Sequence, residues 1–165
     1  MIENASTLAK LESGEELEFK ERDLSVILKS ATEEMTNLAD EKKMKIKIIT
    51  KGEFKVLVNP LIQVVFSNFL SNAIKYGPED SDVVVGIEES GPNWKISVAD
   101  NGPGIPDKDK EAVFGRFKRI KKGPVNGTGL GLAIVRRVVE SHKGRVWVED
   151  NPEGGSIFFV QLKKA

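Results

Sequence analysis

Short alternating segments, taken two at a time and separated by segments of helical period, constrain this 165-residue chain most. Lys45–Thr50 and Phe54–Val58 flank Lys51-Gly52-Glu53, whose composition predicts a hairpin turn. Val83–Glu89 and Trp94–Ala99 are joined by Ser90-Gly91-Pro92-Asn93. Arg145–Glu149 and Ser156–Lys163 lie across an Asn-Pro-Glu-Gly-Gly turn, and Leu17-Glu18-Phe19-Lys20 reads as a single short strand. Between these strands run three helical segments. The first is capped by Asp23 or Ser25 and reaches about Lys43, with Leu24, Ile27, Leu28, Ala31, Met35 and Leu38 as its apolar stripe. The second opens at Asn59-Pro60, where proline suits the first helical position, and runs to Tyr76. The third spans Thr128–Lys143 and stops at Gly144. Strand pairs alternating with helices predict an α+β, two-layer α/β sandwich: a mixed, mostly antiparallel sheet packed against three helices, not a doubly wound parallel sheet.

Composition removes several function classes. Hydrophobic residues make up 39% and charged residues 30%, which supports a packed core. Basic and acidic residues balance at 25 each, so global charge argues for neither nucleic acid nor an anionic membrane as partner. Cysteine is absent and histidine occurs once, at His142, which excludes thiolate chemistry and histidine-based metal clusters within one chain. No apolar run approaches the roughly 18 residues of a membrane span. The lack of cysteine fits a reducing compartment, so a cytoplasmic setting is expected, with membrane anchoring of a full-length protein left open; the chain itself is expected to be monomeric.

Residues 1 to 13 place Ile2, Ala5, Leu8, Ala9 and Leu11 near helical spacing, with Gly14 as the stop. A helix already amphipathic at its first residues, with no cap before it, reads as the end of a longer one; a free-standing N-terminal helix is the alternative. From Asp100 to Asn126 periodicity dissolves, and only Val113, Phe114, Phe117 and Ile120 offer apolar anchors. A loop of that length inside a compact domain is usually functional.

Four clusters carry chemistry. Asn68 and Asn72 are one helical turn apart and share a face, with Lys75 and Tyr76 about one turn further on. Carboxamide oxygens suit Mg²⁺ and an ammonium suits phosphate; two exposed or capping asparagines are the alternative. Asp100-Asn101-Gly102-Pro103-Gly104-Ile105 follows a strand, so its carboxylate can accept from an exocyclic amine while the glycines let backbone lie close to a flat ring. An ordinary strand-to-loop turn is the alternative. Gly127-Thr128-Gly129-Leu130-Gly131-Leu132 runs into a helix and favours close backbone approach to an anion. It is neither the dinucleotide fingerprint, since Leu132 stands at the third glycine position, nor a Walker loop. Between Asp107 and Val125, Lys108, Lys110, Arg116, Lys118, Arg119, Lys121 and Lys122 outweigh Asp107, Asp109 and Glu111 by about +4. Such a mobile cationic flap suits a triphosphate; a solvated basic loop is the alternative. His142 falls beside Ile134, Val135, Val138 and Val139 on the last helix and reads as a partly buried packing residue rather than a base.

In this order the clusters resemble the catalytic ATP-binding domain of sensor histidine kinases, within the superfamily of gyrase, heat-shock chaperone, histidine kinase and MutL ATP sites. The resemblance covers about residues 20 to 163. Asn68 to Tyr76 looks like the asparagine box and Asp100 to Gly104 like the first glycine box. Phe114-Gly-Arg-Phe117-Lys-Arg119 looks like the phenylalanine box and Gly127 to Leu132 like the second glycine box. The resemblance implies a Bergerat-type fold with a long ATP lid and ATP with Mg²⁺ as cofactors. It implies that Asp100 receives the adenine amine, with Gly102, Gly104 and Ile105 beside the ring. Asn68 and Asn72 would hold Mg²⁺, Lys75 and Tyr76 would contact phosphate and ribose, and Arg119 would reach the γ-phosphate. Gly127, Thr128, Gly129, Leu130 and Gly131 would wrap the phosphates, and Ser156 would sit beside the adenine. Asn68, Lys75 and Arg119 would be the catalytic residues.

The resemblance further implies that residues 1–14 are the end of the second helix of a dimerisation and phosphoacceptor hairpin, and that 15–165 form the catalytic domain. The acceptor histidine would lie on that hairpin, outside this chain, and the partners would be the hairpin and a response-regulator receiver domain. ATP-hydrolysing members of the superfamily carry glutamate where this chain has Asn68, and a carboxamide has no useful basicity toward water. The expected activity is therefore phosphoryl transfer to a protein histidine. An ATPase or clamp of the same superfamily and a non-catalytic nucleotide-sensing module are the alternatives.

Overall fold

A computed structural model describes residues 4–14, 16–115 and 131–165. Among the described residues a five-stranded sheet of order β2-β4-β5-β7-β6 forms one layer, and a two-stranded sheet pairs β1 with β3. The elements are α1 (Asn4–Glu12), β1 (Lys20–Asp23), α2 (Leu24–Glu41), β2 (Lys45–Ile48), β3 (Lys55–Val58), α3 (Ile62–Tyr76), β4 (Asp82–Ser90), β5 (Asn93–Ala99), α4 (Gly131–Ser141), β6 (Arg145–Asp150) and β7 (Ser156–Lys163). The β4–β5, β5–β7 and β6–β7 pairs are antiparallel, and β2 runs parallel to β4. The sheet is thus mixed and mostly antiparallel, as expected. Helices α2, α3 and α4 pack against it, and α1 lies along α4, where Arg137 meets Glu12 at 3.8 Å.

The predicted hairpin around Lys51-Gly52-Glu53 does not form. β2 joins β4, with Lys45 opposite Asp82, whereas β3 joins β1, with Lys55 opposite Asp23. The cause lies at the start of α2. The Asp23 carboxylate accepts the backbone N–H of Ser25 at 2.9 Å as helix cap, and also the N–H of Phe54 at 3.1 Å. Leu24 in turn donates its N–H to the Phe54 carbonyl at 2.9 Å. One capping residue therefore carries the chain past its turn and delivers it to β1. The first strand also starts later than the predicted Leu17–Lys20, because Leu17 packs on the core instead of pairing.

The stripe predicted for α2 is buried at Leu24, Ile27, Leu28, Ala31 and Met35, with Leu38 partly buried against the core. Phe66, Phe69, Ile74, Ile96, Ile134 and Val160 are almost completely enclosed between helices and sheet. At about 25 cal/mol per Å² of apolar surface, each such side chain contributes roughly 1.5–3 kcal/mol on burial. Pro60 lies in the turn ahead of α3, where Asn59 Oδ1 accepts the N–H of Leu61 at 2.9 Å. In α3, ten of fifteen residues are buried, which leaves Gln63, Ser71, Asn72, Lys75 and Tyr76 toward the surface.

Candidate nucleotide-binding site

Helix α3 builds one wall. Asn68 is nearly buried at 7% exposure, and its Nδ2 donates to the Val64 carbonyl at 3.0 Å on its own helix. Asn72 and Lys75 are half-buried one and two turns on, and Tyr76 is exposed at the end. Exposure thus rises from Asn68 through Asn72 and Lys75 to Tyr76 along the helix.

The second wall is the turn after β5. Asp100 is half-buried, and its Oδ1 accepts the backbone N–H groups of Gly102 at 2.9 Å and Ser156 at 3.1 Å. Both bonds fall on one oxygen, and among the described residues Oδ2 has no protein donor, so it is an acceptor available to a ligand amine. Burial pushes the Asp100 carboxyl above the usual carboxylate range, against the pull of the Gly102 and Ser156 N–H groups. Ser156 is itself buried at 3% exposure, and its carbonyl accepts the Asp100 N–H at 2.9 Å.

The two walls touch. A Cβ on Gly102 would lie 3.0 Å from the Tyr76 carbonyl oxygen, so glycine there lets the Asp100 turn close against the end of α3. Gly104 adopts φ +78, a left-handed conformation that glycine takes without penalty. Ile105 packs partly on the core, and its carbonyl accepts from Lys110 Nζ at 2.9 Å. Lys110 also pairs with Asp107 and lies 2.9 Å from Asp150 Oδ1. Hydrogen bonds to Asp107 first and Asp150 next hold its ammonium above the usual lysine value. This lysine, predicted as part of a mobile cationic flap, instead staples the loop after Ile105 to the end of β6.

Beyond it, Phe114 is buried at 3% exposure, with its ring edge-on to Phe158 at 6.1 Å. The Arg136 guanidinium lies 5.1 Å over the Phe114 ring and also pairs with Glu111. Gly131 begins the described part of α4. Arg119, Gly127, Thr128, Gly129 and Leu130, together with Phe117, lie outside the described residues.

Sequence reading missed the roles of Asn151 and Gly155. Asn151 Nδ2 donates to the Asp100 carbonyl at 2.9 Å, and its Oδ1 accepts the Glu153 N–H at 3.1 Å. Gly155, at φ +94, brings its backbone so close that a Cβ would sit 2.3 Å from the Asp100 carbonyl oxygen. Only the turn composition Asn-Pro-Glu-Gly-Gly is visible in the sequence, and it says nothing of what the turn packs against.

The half-buried Asp100 carboxylate, held on one oxygen, thus stands beside the end of a helix that carries Asn68, Asn72, Lys75 and Tyr76. Residues 58–165 match the family described as histidine kinase-, DNA gyrase B-, and HSP90-like ATPase, and the chain belongs to that family. Among curated relatives it is 34% identical over 98% of its length to the sensor-like histidine kinase SenX3 of Mycolicibacterium smegmatis, and covers 44% of that protein. It is 38% identical over 62% of its length to the adaptive-response sensory kinase SasA of Synechocystis, and covers 27% of it. The chain thus spans less than half of these relatives. Among solved structures it superposes on the mycobacterial sensor histidine kinase MprB with a TM-score of 0.77 at 26% identity, covering 88% of this chain and 97% of that one. It superposes on full-length ShkA in complex with AMPPNP with a TM-score of 0.82 at 26% identity, covering 98% of this chain and 35% of that one. It is a histidine kinase-type ATP-binding domain.

Proposed function

We propose that this chain binds ATP with Mg²⁺ and transfers the γ-phosphoryl group to a histidine on a dimerisation hairpin, as the catalytic part of a two-component sensor kinase. The observation that carries this reading is the Asp100 carboxylate, held by Gly102 and Ser156 through Oδ1 and set against the end of α3. Its second oxygen accepts the adenine amine, with Gly102, Gly104 and Ile105 beside the ring and Ser156 behind it. Lys75 and Tyr76 meet phosphate and ribose. By the family resemblance, Arg119 would serve the γ-phosphate, and Gly127, Thr128, Gly129, Leu130 and Gly131 the phosphates.

The donor set fits Mg²⁺. The Asn68 and Asn72 carboxamides, one turn apart on α3, would offer oxygen donors to the ion. Hard oxygen donors together with substrate phosphates are the usual magnesium environment. The ion would supply neutralisation of phosphate charge. The protein's part is positioning: Asn68 is locked to its own helix by the Val64 carbonyl, and Asp100 is locked by two backbone donors. Asn68 lacks the basicity to activate water, which favours a histidine acceptor over hydrolysis.

Residues 1–14 are proposed as the end of the hairpin's second helix and 15–165 as the catalytic domain. A response-regulator receiver is proposed as the downstream partner, in the cytoplasm. No helix among the described residues is long and apolar enough to cross a membrane.

The test is calorimetric titration with a non-hydrolysable ATP analogue, with and without Mg²⁺, followed by radiolabelled Mg-ATP and a separately supplied hairpin. Saturable, Mg²⁺-dependent binding and label on the hairpin histidine are expected. Steady phosphate release without transfer would replace this reading with an ATPase, and label on His142 would contradict the absence of an acceptor in the chain.

A further inference from the structure

Helix α3 ends without a left-handed cap. Gly77 comes next at φ −75 and ψ 154, an extended conformation, so no left-handed residue folds back onto the last carbonyls. Pro78 has no N–H to offer, and the Gly77 N–H is spent on the Ala73 carbonyl at 3.0 Å. The carbonyls of the last turn are met instead from another element. Lys42 Nζ lies 2.7 Å from the Ile74 carbonyl, 3.2 Å from that of Lys75 and 2.6 Å from that of Gly77. An ammonium has three N–H donors and no acceptor, so these three oxygens saturate it. Its charge also complements the negative end of the helix dipole.

Lys42 stands on a rigid base. It closes α2, where its N–H reaches the Ala39 carbonyl at 3.1 Å and Lys43 turns left-handed at φ 55. Met44 then donates back to the Ala39 carbonyl at 2.9 Å, and Asp80 donates to the Lys42 carbonyl at 3.1 Å. A Cβ on Gly77 would lie 2.6 Å from the Ala73 carbonyl oxygen, so glycine lets the chain leave α3 tightly against its own last turn.

We propose that Lys42 is a positioning residue for the nucleotide site. Its ammonium sets the last turn of α3, which presents Lys75 and Tyr76 and holds the Tyr76 carbonyl against Gly102 beside Asp100. This role rests on the ATP-binding reading of the site proposed above. Lys42 touches no substrate; it acts through the carbonyls of α3. The sequence hides this role, because a lysine at the end of an amphipathic helix looks like a solvated charge.

The experiment compares Lys42→Met, Lys42→Arg and Ile27→Val with the parent chain, by calorimetry with a non-hydrolysable ATP analogue plus Mg²⁺ and by urea denaturation. Ile27 is buried in the first part of α2, at the opposite end from Lys42, and serves as a control for general loss of stability. Lys42→Met is expected to weaken binding about tenfold, the scale of one charge-assisted hydrogen bond. Lys42→Arg should restore most of that loss, and Ile27→Val should bind like the parent. If Lys42→Met does not fold, Lys42→Gln replaces it, with the same expectation. Parent-like affinity in the Met or Gln variant overturns the inference while leaving the site intact. Equal weakening by Ile27→Val makes the effect one of stability and overturns it too. Absence of binding in the parent chain removes the site reading itself, and this inference with it.

Discussion

The backbone N–H of Asn59 donates to Nε2 of His142 at 3.1 Å, which ties the entrance of α3 to the exit of α4. Nδ1 of the same ring lies 2.7 Å from the Val138 carbonyl, so it carries the proton and donates it there. The neutral ring is thus matched on both sides, and a second proton on Nε2 would face the Asn59 N–H. The ring also meets Phe19 edge-on at 5.0 Å. Histidine here is the half-buried packing residue that the helical wheel suggested.

Burial holds the His142 imidazole below its usual value of 6.5, against the opposing pull of the Val138 carbonyl. The folded pKa lies below the unfolded one, so the unfolded chain takes up the proton first on acidification. The stability this residue contributes is intact above about 6.5 and is lost as pH falls through that value toward the folded pKa. The parent chain should lose more stability than His142→Gln between about pH 7 and pH 5. Urea midpoints of both chains across that range give the comparison, and parallel curves would mean that folding leaves the His142 titration unchanged.

Asp100→Asn keeps an oxygen for the Gly102 and Ser156 N–H groups and replaces the outer acceptor with a donor. Nucleotide affinity should fall by roughly 1.5–3 kcal/mol, about tenfold to 150-fold. Stability at neutral pH should hold or rise, because a raised folded pKa means that ionising the buried carboxyl costs stability above it. In the parent, affinity should begin to drop on acidification above the usual carboxylate range. Calorimetry paired with denaturation separates the two effects, and unchanged affinity would remove Asp100 from the adenine role.

Gly155→Ala places a Cβ 2.3 Å from the Asp100 carbonyl and 2.8 Å from the Gly102 nitrogen, at φ +94. Backbone strain alone should cost about 1–3 kcal/mol, and a chain of this size loses about 2–4 °C of melting temperature per kcal/mol. Nucleotide binding should weaken as well, because the turn seats Asp100. A variant with parent-like melting and parent-like affinity would show that this approach is unimportant.

Phe114→Ala should cost about 3–5 kcal/mol, as for other buried aromatics cut to alanine. The ring is enclosed between Phe158 and the Arg136 guanidinium, and it is the last buried apolar residue described before residue 116. Phe114→Leu should lose much less. Urea denaturation decides this, and a loss in the alanine variant near zero would mean that the pocket collapses without consequence.

Local features of this chain were legible because their causes are local. The turn-spaced Asn68 and Asn72 had to share a helix face, a cap was expected at Asp23 or Ser25 and falls on Asp23, and Gly91 turns between β4 and β5, where it adopts φ +60. The order of the clusters placed the chain in its family. Pairing across distance was not legible. Lys51-Gly52-Glu53 has hairpin composition, yet β2 lies parallel to β4 and β3 lies against β1, because Asp23 also binds the N–H of Phe54.

The sequence by itself determined the elements, the apolar faces and the residue types available to a nucleotide, since periodicity, capping and glycine placement act within a few residues. Only the tertiary structure decided that Asn151 and Gly155 seat Asp100, that Lys110 binds its loop rather than standing open, and that Lys42 closes α3. Asn151 and Lys42 meet backbone carbonyls of other elements, Lys110 also reaches Asp150 at the end of β6, and Gly155 leaves room for the Asp100 carbonyl. Such pairings depend on which surfaces the core brings together, and no local pattern records them.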